Sequence, residues 1–292
     1  MVPRRRGAAW LGLVPFTAYV VMFLGIPTVV AAASGFFTAD GAFTLQNFSA
    51  LGNEVILKSF GNSVLISAIT AAIGAVCGAA ICYALLGTKP DGVLRTVVDS
   101  ASSVLAQFGG VMLAFAFIAT IGATGLITKA LVQAGWAQNP LNDFGGNGIL
   151  IYQSAGLMVV YLYFQVPLMV LTFLPAMEGL RPTWAEANAT LGGTRWSFWW
   201  RIGAPVLAPS FLGSTILLFA NSFSSYATAA ALVVQGNVIV PLAIRQNLTS
   251  ETIVGTSNVA GVLALGMVLV MAVMMTLYAL LQRRADRWRV AR

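Results

Sequence analysis

The chain has 292 residues, 58% of them hydrophobic and 9% charged, with a formal net charge of +7. A soluble domain carries about 25% charged residues, so that class is excluded. There is no histidine, which removes imidazole-based metal ligation, acid–base chemistry and pH sensing. The apolar residues come in long runs rather than short alternating segments. That pattern gives an all-α polytopic membrane protein and not a transmembrane barrel.

Six runs can each cross a hydrocarbon core of about 30 Å, which takes roughly 20 residues. They fall at about 11–36, 59–86, 102–122, 149–176, 206–234 and 257–281. The first follows Arg4-Arg5-Arg6 and contains Ala31-Ala32-Ala33, so it imitates a signal peptide. Its length exceeds the ~7–15 residues of a signal core, and it reads as a retained first membrane helix. The second run holds Gly74-Ala75-Val76-Cys77-Gly78, a small-xxx-small face for close helix packing, within the chain or across a dimer. Cys77 and Cys82 lie in the same run and read as small packing residues.

The loops set an orientation. Arg4, Arg5, Arg6, Lys89, Arg95, Arg181, Arg195, Arg201 and the arginines from Arg283 onward all fall on one side, leaving only Lys58, Lys129 and Arg245 on the other. The positive-inside rule then places both termini in the cytoplasm. These basic residues flank apolar runs and do not line one face, so they predict no nucleic-acid partner. The outer loops are 37–58, 123–148 and 235–256, the second rich in turn signals such as Asn139-Pro140 and Gly145-Gly146-Asn147-Gly148.

The six cores contain no Asp, Glu, Lys or Arg. Ion-coupled carriers and voltage sensors place such groups at membrane depth. No G-x-x-x-x-G-K-[ST] loop occurs, Gly87-Thr88-Lys89 being the nearest fragment. The chain therefore shows no evident means of hydrolysing ATP, and no cofactor, metal site or enzymatic activity of its own is expected. Polar residues do recur at helical spacing. Ser210, Ser214, Asn221, Ser225 and Thr228 mark one face of the fifth run, with Tyr226 beside them, and Ser154, Tyr161 and Gln165 mark the fourth. Tyr161, Gln165, Ser214, Asn221, Ser225 and Tyr226 are the candidates for lining a translocation path. Helix-to-helix glue is the competing role.

Residues 177–205 are too polar for membrane core. Thr183-Trp184-Ala185-Glu186 fits a capping box that opens a helix from about 184 to 191, and Gly192-Gly193 ends it. Thr194 caps a second short helix through Ile202, which stops before Pro205.

The pattern Glu186-Ala187-Asn188-Ala189-Thr190-Leu191-Gly192, then Thr194-Arg195-Trp196, then Pro205 nineteen residues after the glutamate, resembles the cytoplasmic "EAA" loop of binding-protein-dependent (type I) ABC importer permeases. Phe43-Thr44-Leu45-Gln46-Asn47-Phe48 and Asn62-Ser63 resemble elements before and at the start of the second helix in that family. The sequence departs from the pattern at Asn188, where the family has its second alanine, and at Gly203-Ala204-Pro205, where it has Leu-Pro.

The resemblance implies a permease subunit in a bacterial inner or plasma membrane. It implies Glu186, Ala187, Gly192 and Arg195 as the residues that couple to an ATPase dimer, which itself holds ATP and Mg²⁺. It further implies a second permease, identical or homologous, and an extracytoplasmic substrate-binding protein. Leu191-Gly192 with Thr194-Arg195-Trp196 resembles permeases for polyamines, aminoethylphosphonate, iron or inorganic oxyanions, with polyamine or aminoethylphosphonate expected first. An ion-coupled secondary carrier and a non-transporting membrane scaffold are the other function classes.

Overall fold

The computed structural model describes residues 9–38, 40–89, 92–135, 150–152, 154–232, 239–249 and 256–290. The turn signals at 139–148 lie outside them. Apart from an isolated bridge between Phe37 and Phe43, the described residues are helical or irregular. The helices are α1 (Ala9–Val20), α2 (Ile26–Ser34), α3 (Glu54–Leu85), α4 (Val93–Gln107), α5 (Val111–Ile121) and α6 (Leu126–Gln133). They continue as α7 (Ser154–Glu178), α8 (Pro182–Thr190), α9 (Arg195–Phe198), α10 (Ala204–Ser224), α11 (Ala227–Leu232), α12 (Val240–Thr249) and α13 (Thr256–Val290). Among the described residues six stretches are long and apolar enough to cross a membrane: Leu13–Ser34, Glu54–Leu85, Val111–Gln133, Ser154–Glu178, Arg195–Ser224 and Asn258–Arg283.

Two of these differ from the hydropathy reading. The run expected at 102–122 is interrupted at Phe108–Gly110, where Gly110 has φ 78°, so α4 and α5 are separate rods. The fifth helix does not begin at 206. It is continuous from Arg195, because the chain widens into a π turn over Trp199–Gly203 instead of stopping before Pro205. Proline has no N–H to give and its ring crowds the preceding turn. The π turn relieves both, with the Ala204 N–H reaching back five residues to the Trp199 carbonyl. The same device recurs at Val21–Gly25 before Pro27, where the Ile26 N–H reaches the Val21 carbonyl. Gly-x-Pro marks both places, Gly25-Ile26-Pro27 and Gly203-Ala204-Pro205.

The chain divides into two compact units, Met1–Leu57 with Ala243–Val270, and Lys58–Leu242 with Met271–Arg292. In the first, α2 and α13 cross at backbone contact. A Cβ on Gly261 would lie 2.2 Å from Ser34 Oγ, and one on Gly35 would lie 2.8 Å from the Val262 nitrogen. Asn47 Nδ2 donates to the Gly35 and Phe37 carbonyls, both at 2.9 Å, and Phe48 packs on Phe36 with centroids 4.9 Å apart. The Phe43–Phe48 element is thus the clasp that closes the end of α2.

In the second unit α7 is central: 56% of its apolar window is buried, against 39% or less in the other spans. Leu157, Val160, Tyr161 and Phe164 form its core with Ile66 of α3, Leu113 and Ala114 of α5, and Ala229 and Leu232 of α11. The small-xxx-small face of α3 packs on α7 within the chain. A Cβ on Gly74 would lie 2.9 Å from Gln165 Cβ, and one on Gly78 would lie 2.5 Å from Met169 Cβ. Arg95 of α4 is buried against the C-terminal end of α7, bonded to Glu178 and, at 3.4 Å, to Asp99. Burial alone would lower the Arg95 pKa, but the hydrogen bonds and charges of Glu178 and Asp99 outweigh it and raise the pKa.

Candidate functional site

The polar insert between α7 and α10 folds as a helix–turn–helix hairpin. Arg181 is extended (φ −79°, ψ 131°) because a residue before proline is pushed out of the α region, and Pro182 then sits at the first helical position. The helix therefore begins two residues earlier than the capping-box reading required. Arg181 takes the cap position with no side-chain bond, and Thr183 and Glu186 form no capping box.

The end of α8 is a Schellman motif. The Gly193 N–H bonds the Asn188 carbonyl at 2.8 Å, the Gly192 N–H bonds the Ala189 carbonyl at 3.0 Å, and Gly192 takes φ 78°. Asn188 fastens the turn from the side, its Nδ2 donating to the Thr194 carbonyl at 3.2 Å. Thr194 Oγ1 in turn accepts from the Ser197 N–H at 3.2 Å and starts α9.

Glu186, Ala187, Gly192 and Arg195 are all exposed on this hairpin. Leu191 is 88% exposed at its tip, and Trp196 and Trp200 stand exposed in a T-shaped pair with centroids 5.8 Å apart. Trp199 turns the other way, edge-on to Tyr83 at the end of α3, with centroids 5.3 Å apart. Between the hairpin and the end of α3 lies a cavity of about 580 Å³, lined by Tyr83, Ala84, Leu86 and Gly87 on one side and Ala185, Asn188, Ala189, Arg195 and Trp199 on the other. The hairpin is thus rigid in its turn, seated on α3 through one aromatic contact, and open along an apolar and charged outer face.

The proposed path residues separate. Tyr161 and Gln165 are buried, 1% and 0% exposed, and their polar atoms face neighbouring helices. Tyr161 Oη donates to the Ser225 carbonyl at 2.7 Å. Gln165 Nε2 donates to the Leu218 carbonyl at 3.0 Å and contacts Thr70 Oγ1 at 3.4 Å. Ser214 borders a second cavity of about 470 Å³ with Thr172, Ser210, Tyr278 and Gln282. That cavity holds hydroxyls and an amide but no charged side chain. Asn221 is exposed, and Ser225 and Tyr226 are half-buried where α10 breaks before α11.

That break meets the one between α4 and α5. The Gly110 N–H donates to Thr228 Oγ1 at 3.0 Å, and a Cβ on Gly110 would lie 3.6 Å from Ala227 Cβ. Irregular backbone is tolerated at membrane depth only where protein or a wet cavity receives it. Here Thr228 receives a backbone N–H of the first break, and Tyr161 donates to a backbone carbonyl of the second.

A buried polar face escaped the sequence reading, which had singled out only Ser63 of it. Ser59, Ser63, Ser67 and Thr70 are buried along one face of α3. Ser63 Oγ accepts from the Val240 N–H at 2.8 Å, and Thr70 Oγ1 lies 3.0 Å from Ser222 Oγ. Their spacing of four, four and three was a legible signal.

No protein-family model matches the chain. It is similar to the probable sulfate transport system permease protein of Zygnema circumcarinatum, 23% identical over 221 residues, 75% of this chain and 72% of that one. It is similar to the spermidine/putrescine permease protein of Haemophilus influenzae, 20% identical over 237 residues, 76% and 78% of the two chains. It also matches the sulfate permease protein of Escherichia coli at 31% identity over 87 residues, a segment that covers 31% of that protein. Among solved structures, a bacterial ABC transporter for import of the acidic polysaccharide alginate superimposes with TM-score 0.71 at 14% identity, over 97% of this chain and 96% of that one. The same transporter type, in complex with an alginate pentasaccharide-bound periplasmic protein, gives TM-score 0.68 at 14% identity, over 96% and 94%. The chain has the fold of an ABC importer permease.

Proposed function

We propose that this chain is the membrane-spanning permease subunit of an ABC importer and couples to a separate ATPase through the 182–198 hairpin. The observation that carries this is the hairpin itself: a Schellman-locked turn at Gly192, exposed at Glu186, Leu191 and Arg195, where the fourth span passes into the fifth in an importer fold. A rigid, protruding element on the end of two long helices can be seated in a partner's cleft and transmit that partner's movement to α7 and α10. ATP and Mg²⁺ would act in the ATPase dimer. A second permease, identical or homologous, and a substrate-binding protein outside the membrane complete the assembly. The periplasmic partner of the alginate transporter supports the last of these. The basic loops support a cytoplasmic hairpin, in a bacterial inner or plasma membrane.

The substrate is a small polar solute. Polyamine or aminoethylphosphonate follows from the Leu191-Gly192 form of the loop, and the spermidine/putrescine relative supports it. The sulfate relatives and the uncharged hydroxyl lining of the Ser214 cavity favour an oxyanion instead.

Affinity purification in mild detergent tests the coupling reading. The wild-type chain should bring down an ATPase subunit, Glu186→Ala should weaken the association without loss of folded protein, and the neighbouring binding protein can be screened against polyamines, aminoethylphosphonate and sulfate. Wild-type protein that purifies repeatedly without a nucleotide-binding partner would favour a carrier or scaffold and sink the proposal.

A further inference from the structure

Gln165 lies at the junction of α3, α7 and α10 and is 0% exposed, beside Thr70 at 0%, which in turn touches Ser222 at 2%. The donors around it are all committed. Thr70 Oγ1 gives its hydrogen to the Ile66 carbonyl at 2.8 Å. Its lone pairs face Gln165 Nε2 at 3.4 Å and Ser222 Oγ at 3.0 Å, so the Ser222 hydrogen points to Thr70. The second Gln165 amide hydrogen goes to the Leu218 carbonyl at 3.0 Å. Turning the amide over would set its oxygen against that carbonyl, so the orientation is fixed by the network.

Gln165 Oε1 is then a buried acceptor that no group of the described residues reaches. Ser222 Oγ, two bonds along the same network, keeps free lone pairs because its one hydrogen bond among the described residues is the one it donates to Thr70. Two acceptors with no donor between them match the two hydrogens of one water molecule. No second protein chain can supply the donor, since Gln165 is enclosed by its own subunit.

We infer that Gln165 Oε1 holds a single internal water, which donates its other hydrogen to Ser222 Oγ and so links α7 to α10 beside Thr70 of α3. The inference is independent of the transport reading. Buried waters make about three hydrogen bonds to groups that protein leaves unmet.

The test is a structure of the full-length chain in lipid nanodiscs at a resolution that shows ordered solvent. One peak at ~2.7–3.0 Å from both Gln165 Oε1 and Ser222 Oγ is expected. An empty site with Oε1 moved onto a protein donor overturns the inference. So does a peak ringed by several oxygens at shorter, metal-like distances. Radiolytic labelling gives a second readout. Water bound there generates hydroxyl radical beside Met169, which is 0% exposed and one turn from Gln165. Met169 oxidation should fall in both Gln165→Leu and Ser222→Ala, each checked for wild-type melting. An unchanged Met169 rate in two folded variants also overturns it.

Discussion

The side chain of Asn188 occupies the space that a Cβ on Gly193 would need: its Oδ1 lies 2.3 Å from that position, while its Nδ2 holds the Thr194 carbonyl at 3.2 Å. The departure from the family's small-residue pattern at 188 and the glycine at 193 are therefore one feature. Gly193→Ala should destabilise the hairpin by about 1–3 kcal/mol, the usual range for overpacking. Asn188→Ala should recover part of that loss in the double variant, because the obstructing atoms belong to a removable side chain. A double-mutant cycle on ATPase co-purification and on melting temperature measures the coupling, and additive losses would refute it.

Gly192 makes a different demand. Its φ of 78° is forbidden to a side chain by its own backbone, with nothing within 4 Å of the added atom. Gly192→Ala should cost about 1–2 kcal/mol. Gly192→Asn should be milder, since asparagine tolerates the left-handed region. No substitution at Asn188 should repair either. Partner binding by the purified variants, compared at equal folded fraction, separates this backbone effect from the Asn188–Gly193 clash.

The α3–α7 contact gives a third contrast. A Cβ on Gly78 would lie 2.5 Å from Met169 Cβ and 3.0 Å from the Val166 carbonyl oxygen. Both are atoms that truncation to alanine leaves in place. Gly78→Ala should therefore cost about 1–3 kcal/mol or force the helices apart, and Met169→Ala should not rescue it. Melting curves of the two single variants and the double variant in detergent decide the matter. Rescue by Met169→Ala would show that the helices do not meet on this face.

The hairpin was legible because its signals are local: Gly192-Gly193 ends one helix and Thr194 starts the next whatever packs around them. The capping box failed for an equally local reason, since Pro182 can open a helix by itself and left Thr183 inside it. The π turn before Pro205 was missed because proline alone reads as a stop, whereas Gly203 beside it gave the helix room to widen. The break at Phe108–Gly110 disappeared into the hydropathy of its flanks. Its cause is tertiary, the Gly110 N–H being received by Thr228 from the other end of the sequence. Tyr161 and Gln165 were visible as polar residues needing partners. Which partners they had depended on residues 53 to 95 positions away in the chain and could not be read locally.

Arg95 links the start of α4 to the end of α7. Its side chain is 11% exposed while those of Glu178 and Asp99 are each 43% exposed, so the cluster is neither a surface pair nor a sealed one. Arg95→Met removes the buried charge together with its partners' bonds. Glu178→Gln leaves the guanidinium buried with only Asp99 for charge. Glu178→Gln should therefore be the more destabilising of the two, with a cost between the ~1 kcal/mol of exposed pairs and the ~3–5 kcal/mol of a broken buried pair. Asp99→Asn should have the smallest effect, its contact being the long one at 3.4 Å. Thermal melts at low and high salt check the order, and an Arg95→Met variant less stable than Glu178→Gln would reverse the argument.

Tyr161 tests whether the paired helix breaks are held by polar contacts or by packing alone. Tyr161→Phe keeps the ring, and with it the Phe164 contact at 5.4 Å, but deletes the hydroxyl that donates to Ser225 at 2.7 Å. The Ser225 carbonyl ends α10, so without the hydroxyl a backbone acceptor at membrane depth loses a donor where water is scarce. The expected loss is about 1–3 kcal/mol, the range for leaving a buried group unmet. The loss should be local. Hydrogen exchange should quicken at Ala227–Leu232 and around Gly110, which Thr228 holds, while α8 and its Schellman turn stay unchanged. Transport by a reconstituted importer gives the functional arm. If Ser225 and Tyr226 line the path, Tyr161→Phe should alter transport at unchanged ATPase association, whereas Gly192→Ala should impair the association itself. Equal protection at Ala227–Leu232 in wild type and Tyr161→Phe would show that apolar packing alone sets the break, and would remove Tyr161 from the candidate path.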